Sequence, residues 1–124
     1  MTNAQQFLQR FTQAWSEPTP ASLSELFTAD ATLHRPNLPQ PIRGRDAIRA
    51  YFEQVLRARP DLKLEPLMTA TGPDVAFVHW RLQATADDVL VEWEGIDRFT
   101  LQGDLAVDGL AHFDPAAIRP VAVS

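Results

Sequence analysis

The chain has 124 residues, of which 45% are hydrophobic, and it carries a formal net charge of −5. This length suits one domain with a single core, so we predict one domain over residues 1–124. The acidic balance argues against a nucleic-acid binder, and the lack of cysteine excludes disulfides, thiol catalysis and cysteine-ligated metals. Neither a membrane-spanning apolar run nor a signal-peptide pattern is present, so we expect a cytoplasmic protein without membrane association.

The chain begins with two predicted helices. Residues 3–16 place apolar side chains at helical spacing and end before Pro18, which indicates an amphipathic helix. Thr19 and Pro20 then have the pattern of an N-cap followed by proline at the first helical position. This pattern predicts a short second helix that runs through Phe27.

A short strand, a proline-rich loop and a third helix follow. Residues 30–36 (DATLHRP) indicate the strand, and the segment NLPQPIRG is predicted to be a loop at the rim of the fold. From Asp46 to Ala58 apolar side chains recur at helical spacing, and a proline follows two residues later, which predicts an amphipathic helix. Arginines between positions 43 and 59 are interleaved with acidic residues and indicate the solvated face of that helix.

The second half of the chain is predicted to be extended. Apolar and polar residues indicate four strands, at about 62–71, 75–85, 89–101 and 105–113, with turn residues between them. Helices first and antiparallel strands later are typical of an α+β fold with helices on one face of a curved sheet.

One carboxylate falls on the apolar face of a predicted strand. In VLVEWEGIDRFTLQGD, residues 89–104, alternation with period two puts Asp97 on the same face as Trp93 and Phe99. An unpaired buried charge is costly, so such a group either finds a partner or has its pKa raised until it is neutral. Two interpretations stay open: Asp97 donates a proton or a hydrogen bond to a ligand, or a basic residue holds it in an ion pair.

Five stretches, taken in order, resemble a known superfamily: ELFTADATLHRP, IRGRDAIRAYF, VAFVHWRL, GIDRFTL and HFDPAAI. Together they resemble the nuclear transport factor 2-like superfamily and, within it, the SnoaL-like group related to polyketide cyclases. The resemblance implies a cone-shaped α+β fold, in which three N-terminal helices pack on a strongly curved, mainly antiparallel mixed sheet that encloses a pocket. It also implies a homodimer formed through the outer sheet face. Because the superfamily hosts several enzyme classes and non-catalytic binders, the fold alone does not determine the function.

Ketosteroid isomerases of this superfamily provide one template for a site. They use an aspartate base, a tyrosine donor and a protonated aspartate donor. The resemblance places Arg35 where the base would stand and Phe11 where the tyrosine would stand. Asp97 in GIDRF is the one member of the set that matches, so isomerisation by that mechanism is not expected.

Limonene-type epoxide hydrolases provide a second template. Asp114 in HFDP matches their closing aspartate, but His79 and Arg81 stand where the central arginine and aspartate would be. The chain therefore lacks a second carboxylate to activate water. Asp114 has an alternative role, because Pro115 follows it: its side chain can cap the terminal turn.

If the register implied by the resemblance holds, one face of the strand at 75–85 looks into the cone. That face carries Val75, Phe77, His79, Arg81 and Gln83. His79 is then either a proton shuttle or a histidine held by one structural hydrogen bond, and Arg81 either orients a ligand or pairs with an aspartate. The same register leaves an apolar set on the outer face, available to a second protein: Val78, Trp80 and Leu82.

Two functions follow. The first is a pocket protein that binds a hydrophobic, oxygen-bearing small molecule and performs cofactor-free acid/base chemistry such as cyclisation, isomerisation or dehydration. Asp97 is the candidate acid and His79 the candidate base. The candidate ligand contacts are Arg35, Arg81, Asp114, Phe11, Trp15, Phe52, Phe77, Trp93 and Phe99. The alternative is a non-catalytic ligand-binding or dimerisation module. No cofactor is expected, and no metal, because the three histidines lack metal-ligand spacing.

Overall fold

Three helices lie in the first half of the chain, in a computed structural model that describes residues 1–114 and 119–120. Helix α1 spans Asn3–Ser16, α2 spans Pro20–Ser24 and α3 spans Arg45–Ala58. The predicted first and third helices are confirmed to within a residue. Within the described residues, none of the helices is long and apolar enough to cross a membrane.

Both N-terminal helices begin with side-chain caps. The Thr2 hydroxyl accepts a hydrogen bond from the Gln5 backbone N–H, and the Gln5 side chain accepts one from the Thr2 backbone N–H. Thr19 and Ser22 form the same reciprocal arrangement at α2, with Pro20 at the first helical position. The predicted cap at Thr19 is confirmed, and each box satisfies two N–H groups that the helix itself leaves unpaired.

Helix α2 ends three residues before the predicted end at Phe27, because Phe27 starts the first strand. The Phe27 carbonyl oxygen accepts hydrogen bonds from Arg45 Nε at 2.9 Å and Arg45 Nη2 at 2.7 Å. The Ala106 N–H also donates to the Leu26 carbonyl oxygen at 2.9 Å. These long-range bonds hold the segment in extended form and override its local helical pattern.

Seven strands of the described residues form one curved sheet. They are β1 (Phe27–His34), β2 (Ile42–Arg43), β3 (Lys63–Gly72), β4 (Val75–Ala86), β5 (Val89–Gln102), β6 (Leu105–His112) and β7 (Arg119–Pro120). The order is β2-β1-β6-β5-β4-β3, and β7 pairs with β5. Among the described pairings, β1 with β6 is parallel and the rest are antiparallel. The α+β fold with N-terminal helices on a curved mixed sheet is confirmed, as are the four predicted later strands; β2 lies in the segment predicted to be a loop.

The face of β4 that points into the protein is the opposite of the one expected from the sequence. Its buried side chains are Ala76, Val78, Trp80, Leu82 and Ala84. Val78 pairs directly with Asp97 on β5, and directly paired residues of antiparallel strands share a face of the sheet. The prediction that His79 and Arg81 look into the cone is therefore wrong, and so is the apolar outer surface expected at Val78, Trp80 and Leu82.

A cluster of phenylalanine rings fills the space between α1, β1 and β5. The Phe99 ring centroid lies 4.8 Å from that of Phe7, 5.6 Å from that of Phe11 and 6.2 Å from that of Phe27. All four side chains are buried. Trp15 follows Phe11 by one turn of α1, and beyond it the interior is open rather than filled.

Gly95 on β5 allows the Trp80 ring to lie across the strand. A Cβ atom at Gly95 would lie 2.5 Å from Trp80 Cζ2 and 2.6 Å from the His112 carbonyl oxygen. Because one of these atoms belongs to the backbone, a side-chain rotation alone does not relieve the overlap. We expect Gly95→Ala to lower the free energy of unfolding by about 1–3 kcal/mol, measured by urea denaturation.

Gly109→Ala on β6 is the matched control for this substitution. There a Cβ atom would meet only side chains, the nearest being Leu33 Cδ1 at 3.0 Å. Small side-chain movements relieve such contacts, so we expect a smaller loss. A loss at Gly95 no larger than the loss at Gly109 would contradict the proposed packing of Trp80.

Candidate active site

A cavity of about 370 Å³ lies between α1, α3 and the inner face of the sheet. Its wall is mainly aromatic and aliphatic, and three charged residues interrupt it: Arg35, Arg59 and Asp97. This volume lies toward the small end of the range for ligand sites, about 300–1,000 Å³, and a mainly apolar wall with few polar groups is typical of such sites.

Five of the side chains singled out in the sequence line this cavity. They are Trp15, Arg35, Phe52, Trp93 and Asp97. Trp15 comes from α1, Phe52 from α3 and the last two from β5, while Arg35 directly follows β1. The structure therefore brings together residues that stand as far apart as 15 and 97.

The two residues expected beside Asp97 lie on the outer face of the sheet instead. His79 Nε2 lies 3.8 Å from Glu94 Oε1. Arg81 lies 3.9 Å from Glu65 Oε2 and 3.8 Å from Glu94 Oε1. Arg81 therefore does not hold Asp97 in an ion pair, and His79 has no access to the cavity.

Four further candidates lie outside the cavity wall. Phe11 and Phe99 belong to the buried ring cluster, and Phe77 lies on the outer face with 37% of its surface exposed. Asp114 is exposed after β6, and the turn that it is predicted to cap lies outside the described residues. Period-two alternation correctly predicts the apolar face of β5. It cannot distinguish residues of that face that pack in a filled core from those that line an open cavity.

Burial raises the pKa of Asp97 from its ordinary value of 3.8 to about 6. The charge of Arg35, the nearby Trp80 indole and the charge of His112 each act in the opposite direction. The Trp80 indole does not reach hydrogen-bond geometry, since neither Trp80 Nε1 nor Asp97 Oδ1 has a hydrogen-bond partner within residues 1–114 and 119–120. Asp97 therefore changes protonation close to neutral pH.

Four buried polar side-chain atoms lack a hydrogen-bond partner in the described part of the chain. They are Arg35 Nε, Trp80 Nε1, Trp93 Nε1 and Asp97 Oδ1. All four residues line the same cavity. Because buried polar groups are nearly always hydrogen-bonded, unpaired groups concentrated in one place call for an explanation, and a ligand that supplies the partners is one.

Arg35 is held by aromatic rings. Its guanidinium carbon lies 5.5 Å from the Tyr51 ring centroid and 5.3 Å from the Phe113 ring centroid. Arg59 is placed in the same way, 5.2 Å from the Trp93 ring centroid. Such contacts attract a cation to the face of a ring and leave its N–H groups free to bind an acceptor.

The cavity also contains residues that the sequence did not single out as ligand contacts. Trp80 was expected on the outer face, Tyr51 is one residue from Phe52 on α3, and Arg59 belongs to the arginines predicted to be solvated. Phe113 stands next to the aspartate of HFDP. Knowledge that Val78 of β4 pairs with Asp97 of β5 would have placed Trp80 on the face that lines the cavity.

The fold and the cavity define a small α+β protein that surrounds an apolar pocket with a buried carboxyl group. Residues 8–109 match the model of the SnoaL-like domain. The chain therefore belongs to the SnoaL-like family. No curated protein matches the chain by sequence.

Solved structures similar to this chain share its fold. SalBIII, described as an epoxide hydrolase/cyclase-like enzyme in pyran ring formation in polyether salinomycin, aligns with a TM-score of 0.82 at 21% identity, over 98% of this chain and 100% of that one. A protein with a ketosteroid isomerase-like fold from Catenulispora acidiphila has a TM-score of 0.81 at 12% identity, over 90% and 87%. A putative SnoaL-like polyketide cyclase from Jannaschia sp. has a TM-score of 0.79 at 16% identity, over 94% and 91%.

The raised pKa of Asp97 makes stability depend on pH. The unfolded chain releases this proton near pH 3.8 and the folded chain near pH 6, so stability falls as pH rises between these values. Above pH 6 the ionised carboxylate destabilises the fold by up to about 3 kcal/mol. We expect Asp97→Asn to be more stable than the wild type at pH 8, with a much smaller difference at pH 4, in urea denaturation.

Asp61→Asn is a control with the opposite sign. Hydrogen bonds from the Thr85 side chain and backbone lower the pKa of Asp61. A lowered pKa stabilises the fold above the unfolded value, and that contribution is lost as pH falls through the folded value. Asp61→Asn should therefore reduce stability at pH 8. Equal changes in the free energy of unfolding for the two substitutions at pH 8 would show that burial does not destabilise the Asp97 carboxylate.

Proposed function

We propose that the chain is a cofactor-free acid/base enzyme that acts on a hydrophobic, oxygen-bearing small molecule, in a cyclisation, isomerisation or dehydration. The observation that carries the proposal is the carboxyl oxygen of Asp97, which has no hydrogen-bond partner among the described residues and lies in an apolar cavity lined by N–H groups that likewise lack one there. Membership of the SnoaL-like family and the cyclase names of two structural neighbours support it.

Asp97 is the proton carrier in this proposal. With a pKa of about 6, its carboxylate form predominates at neutral pH and can take a proton from a carbon next to a substrate carbonyl. The C–H bond breaks, the carboxyl O–H bond forms, and the electron pair moves to the carbonyl oxygen as an enolate. The same carboxyl then returns the proton to another atom of the substrate, so the residue is regenerated without a cofactor.

The unpaired donors would stabilise the negative charge that develops on the substrate oxygen. Arg35 brings a guanidinium cation, and its Nε–H is buried and unpartnered in the described chain. The indole N–H groups of Trp80 and Trp93 add two neutral donors. Donors placed in advance and shielded from water are worth much more for such charge than they are in bulk water.

A non-catalytic ligand carrier of the same fold is the second candidate. It is favoured by the position of His79, the expected base, on the outer face of the sheet. Asp97 and Tyr51 are then the side chains of the described wall that can exchange a proton with a ligand. Binding without proton exchange would identify a carrier.

Deuterium exchange into 2-tetralone tests the enzyme proposal. This two-ring ketone has acidic C–H bonds next to its carbonyl, and loss of their proton signals in D₂O is followed by NMR. We expect the wild type to catalyse exchange with a rate that rises as pH increases through about 6, because the carboxylate form is required. Asp97→Asn should slow the exchange by about 100-fold or more.

His79→Asn is the matched control for this experiment. It removes a titratable group from the neighbouring strand without touching the cavity wall, so exchange should continue at the wild-type rate. A loss in His79→Asn equal to that in Asp97→Asn would overturn the assignment of Asp97. Binding of 2-tetralone with no exchange by the wild type would favour the carrier.

We also propose a homodimer formed through the outer face of the sheet. Met68 and Ile96 flank His79 directly across β3, β4 and β5, and 69% and 47% of their surfaces are exposed. Phe77 lies two residues from His79 on the same face. These three side chains form an apolar patch that a second copy would cover.

Sedimentation at micromolar concentration tests the dimer. We expect the wild type to sediment as a dimer and Ile96→Glu as a monomer, because the introduced carboxylate would be buried without a partner. Leu90→Glu is the control, since Leu90 is 43% exposed on the same strand but six residues away. A monomeric wild type would exclude the dimer.

A further inference from the structure

We infer that the cavity selects a ligand that carries a carboxylate, with Arg35 as the anchor for that group and Arg59 as a second cation in the same wall. The inference rests on the proposed function only in placing the ligand in the same cavity. It does not require that the ligand reacts. A carboxylate is a more specific expectation than an oxygen-bearing molecule, and it follows from the charges and donors of the cavity wall.

The charge balance of the cavity wall is opposite to that of the whole chain. The protein has a net charge of −5, yet its cavity is lined by two guanidinium groups and one carboxyl group. The wall is therefore net positive when Asp97 is ionised and more so when it is protonated. A site with such a field favours an anionic ligand over a cationic one.

Neither guanidinium of the cavity wall forms an ion pair within the described residues. Ion pairs are formed by Arg10, Arg49 and Arg81 in the described residues, but not by Arg35 or Arg59. The positive charge of Arg35 opposes the rise in the pKa of Asp97 that burial causes. The two guanidinium groups of the cavity are thus available to a ligand.

Arg35 has the geometry of an anchor rather than that of a mobile surface side chain. The rings of Tyr51 and Phe113 both lie within 5.5 Å of its guanidinium carbon, and its Nε is buried. A guanidinium held in this way loses little further freedom when it binds, and its planar fork of N–H groups matches the two oxygens of a carboxylate.

The neutral donors of the wall point to the same chemistry. The indole nitrogens of Trp80 and Trp93 can only donate, and both are buried without partners in the described part of the chain. A carboxylate accepts hydrogen bonds only, so it complements a wall rich in unpaired N–H groups. An amine or ammonium ligand would bring further donors and leave these unsatisfied.

The size of the cavity limits the rest of the ligand. A volume of about 370 Å³ and walls of Trp15, Phe52, Trp80 and Trp93 suit a flat molecule of one or two rings. A small cyclic or aromatic carboxylic acid therefore combines the required shape with the required charge.

A matched pair of probes tests the inference. 1-Naphthoate and 1-naphthamide have the same rings and nearly the same size, but only the first carries a negative charge. We expect the wild type to bind 1-naphthoate about tenfold or more tightly than 1-naphthamide in calorimetric titrations at pH 7, because charged hydrogen bonds are stronger than neutral ones. Equal affinities, a preference for the amide, or no binding of 1-naphthoate below about 1 mM would overturn the inference.

Substitution of the anchor should remove the preference. Arg35→Gln is expected to lower the affinity for 1-naphthoate about tenfold or more while leaving that for 1-naphthamide nearly unchanged, which also shows that the cavity has kept its shape. Arg57→Gln removes the same charge from the exposed side of α3, away from the cavity, and should change neither affinity. If Arg57→Gln lowers 1-naphthoate binding as much as Arg35→Gln does, the preference reflects overall charge and no anchor exists.

Asp97→Asn separates this inference from the proposed function. Removing the carboxylate should slow the exchange of 2-tetralone as stated above, but it should retain or increase the affinity for 1-naphthoate, since a repelling charge is lost. Retained binding with an exchange rate unaffected by the substitution would leave the carboxylate site standing and reject the enzyme. Loss of 1-naphthoate binding in Asp97→Asn would instead contradict the carboxylate site.

Discussion

The direct pairing of Val78 with Asp97 across β4 and β5 determines what surrounds the carboxyl group. Because paired residues share a face, this register buries Trp80 beside Asp97 and leaves His79 and Arg81 outside. A shift by one residue would exchange the two sets completely. The absence of a side chain at Gly95 then lets the Trp80 ring pack against β5, so the cavity depends on one register and one missing methyl group.

The cavity concentrates features that would destabilise an ordinary core. Burial of Asp97 raises its pKa and makes the ionised form unfavourable by up to about 3 kcal/mol at high pH. Three unpartnered N–H groups accompany it within the described residues. A protein that needed only stability would replace such groups with apolar ones, whereas a binding site keeps them for a ligand. The stabilisation expected for Asp97→Asn and the loss of the proposed activity expected for it thus have the same physical cause.

Phe11 and Arg35 both depart from the isomerase pattern, but they lie in different surroundings. Phe11 stands where a tyrosine donor would be and belongs to the buried ring cluster, so that end of the cone is closed. Arg35 stands where the base would be and lines the cavity. A cation thus stands where the isomerases have a carboxylate, so under the proposed function Asp97 carries the proton and the charge offered to a ligand at position 35 is reversed.

Much of the local structure of this protein can be predicted from the sequence alone. The first and third helices, the cap at Thr19, four strands and the inward face of β5 follow from local periodicity and turn residues, and the family from a resemblance of ordered motifs, because such signals act between residues close in the chain. The hydrogen bonds between β4 and β5 determine which face of β4 points into the protein. The hydrogen bonds from Arg45 to Phe27 determine the early end of α2. Whether an apolar face borders a packed cluster, as at Phe99, or an open cavity, as at Trp93, depends on volume left between elements distant in sequence. Only the tertiary structure sets that volume, and with it the site.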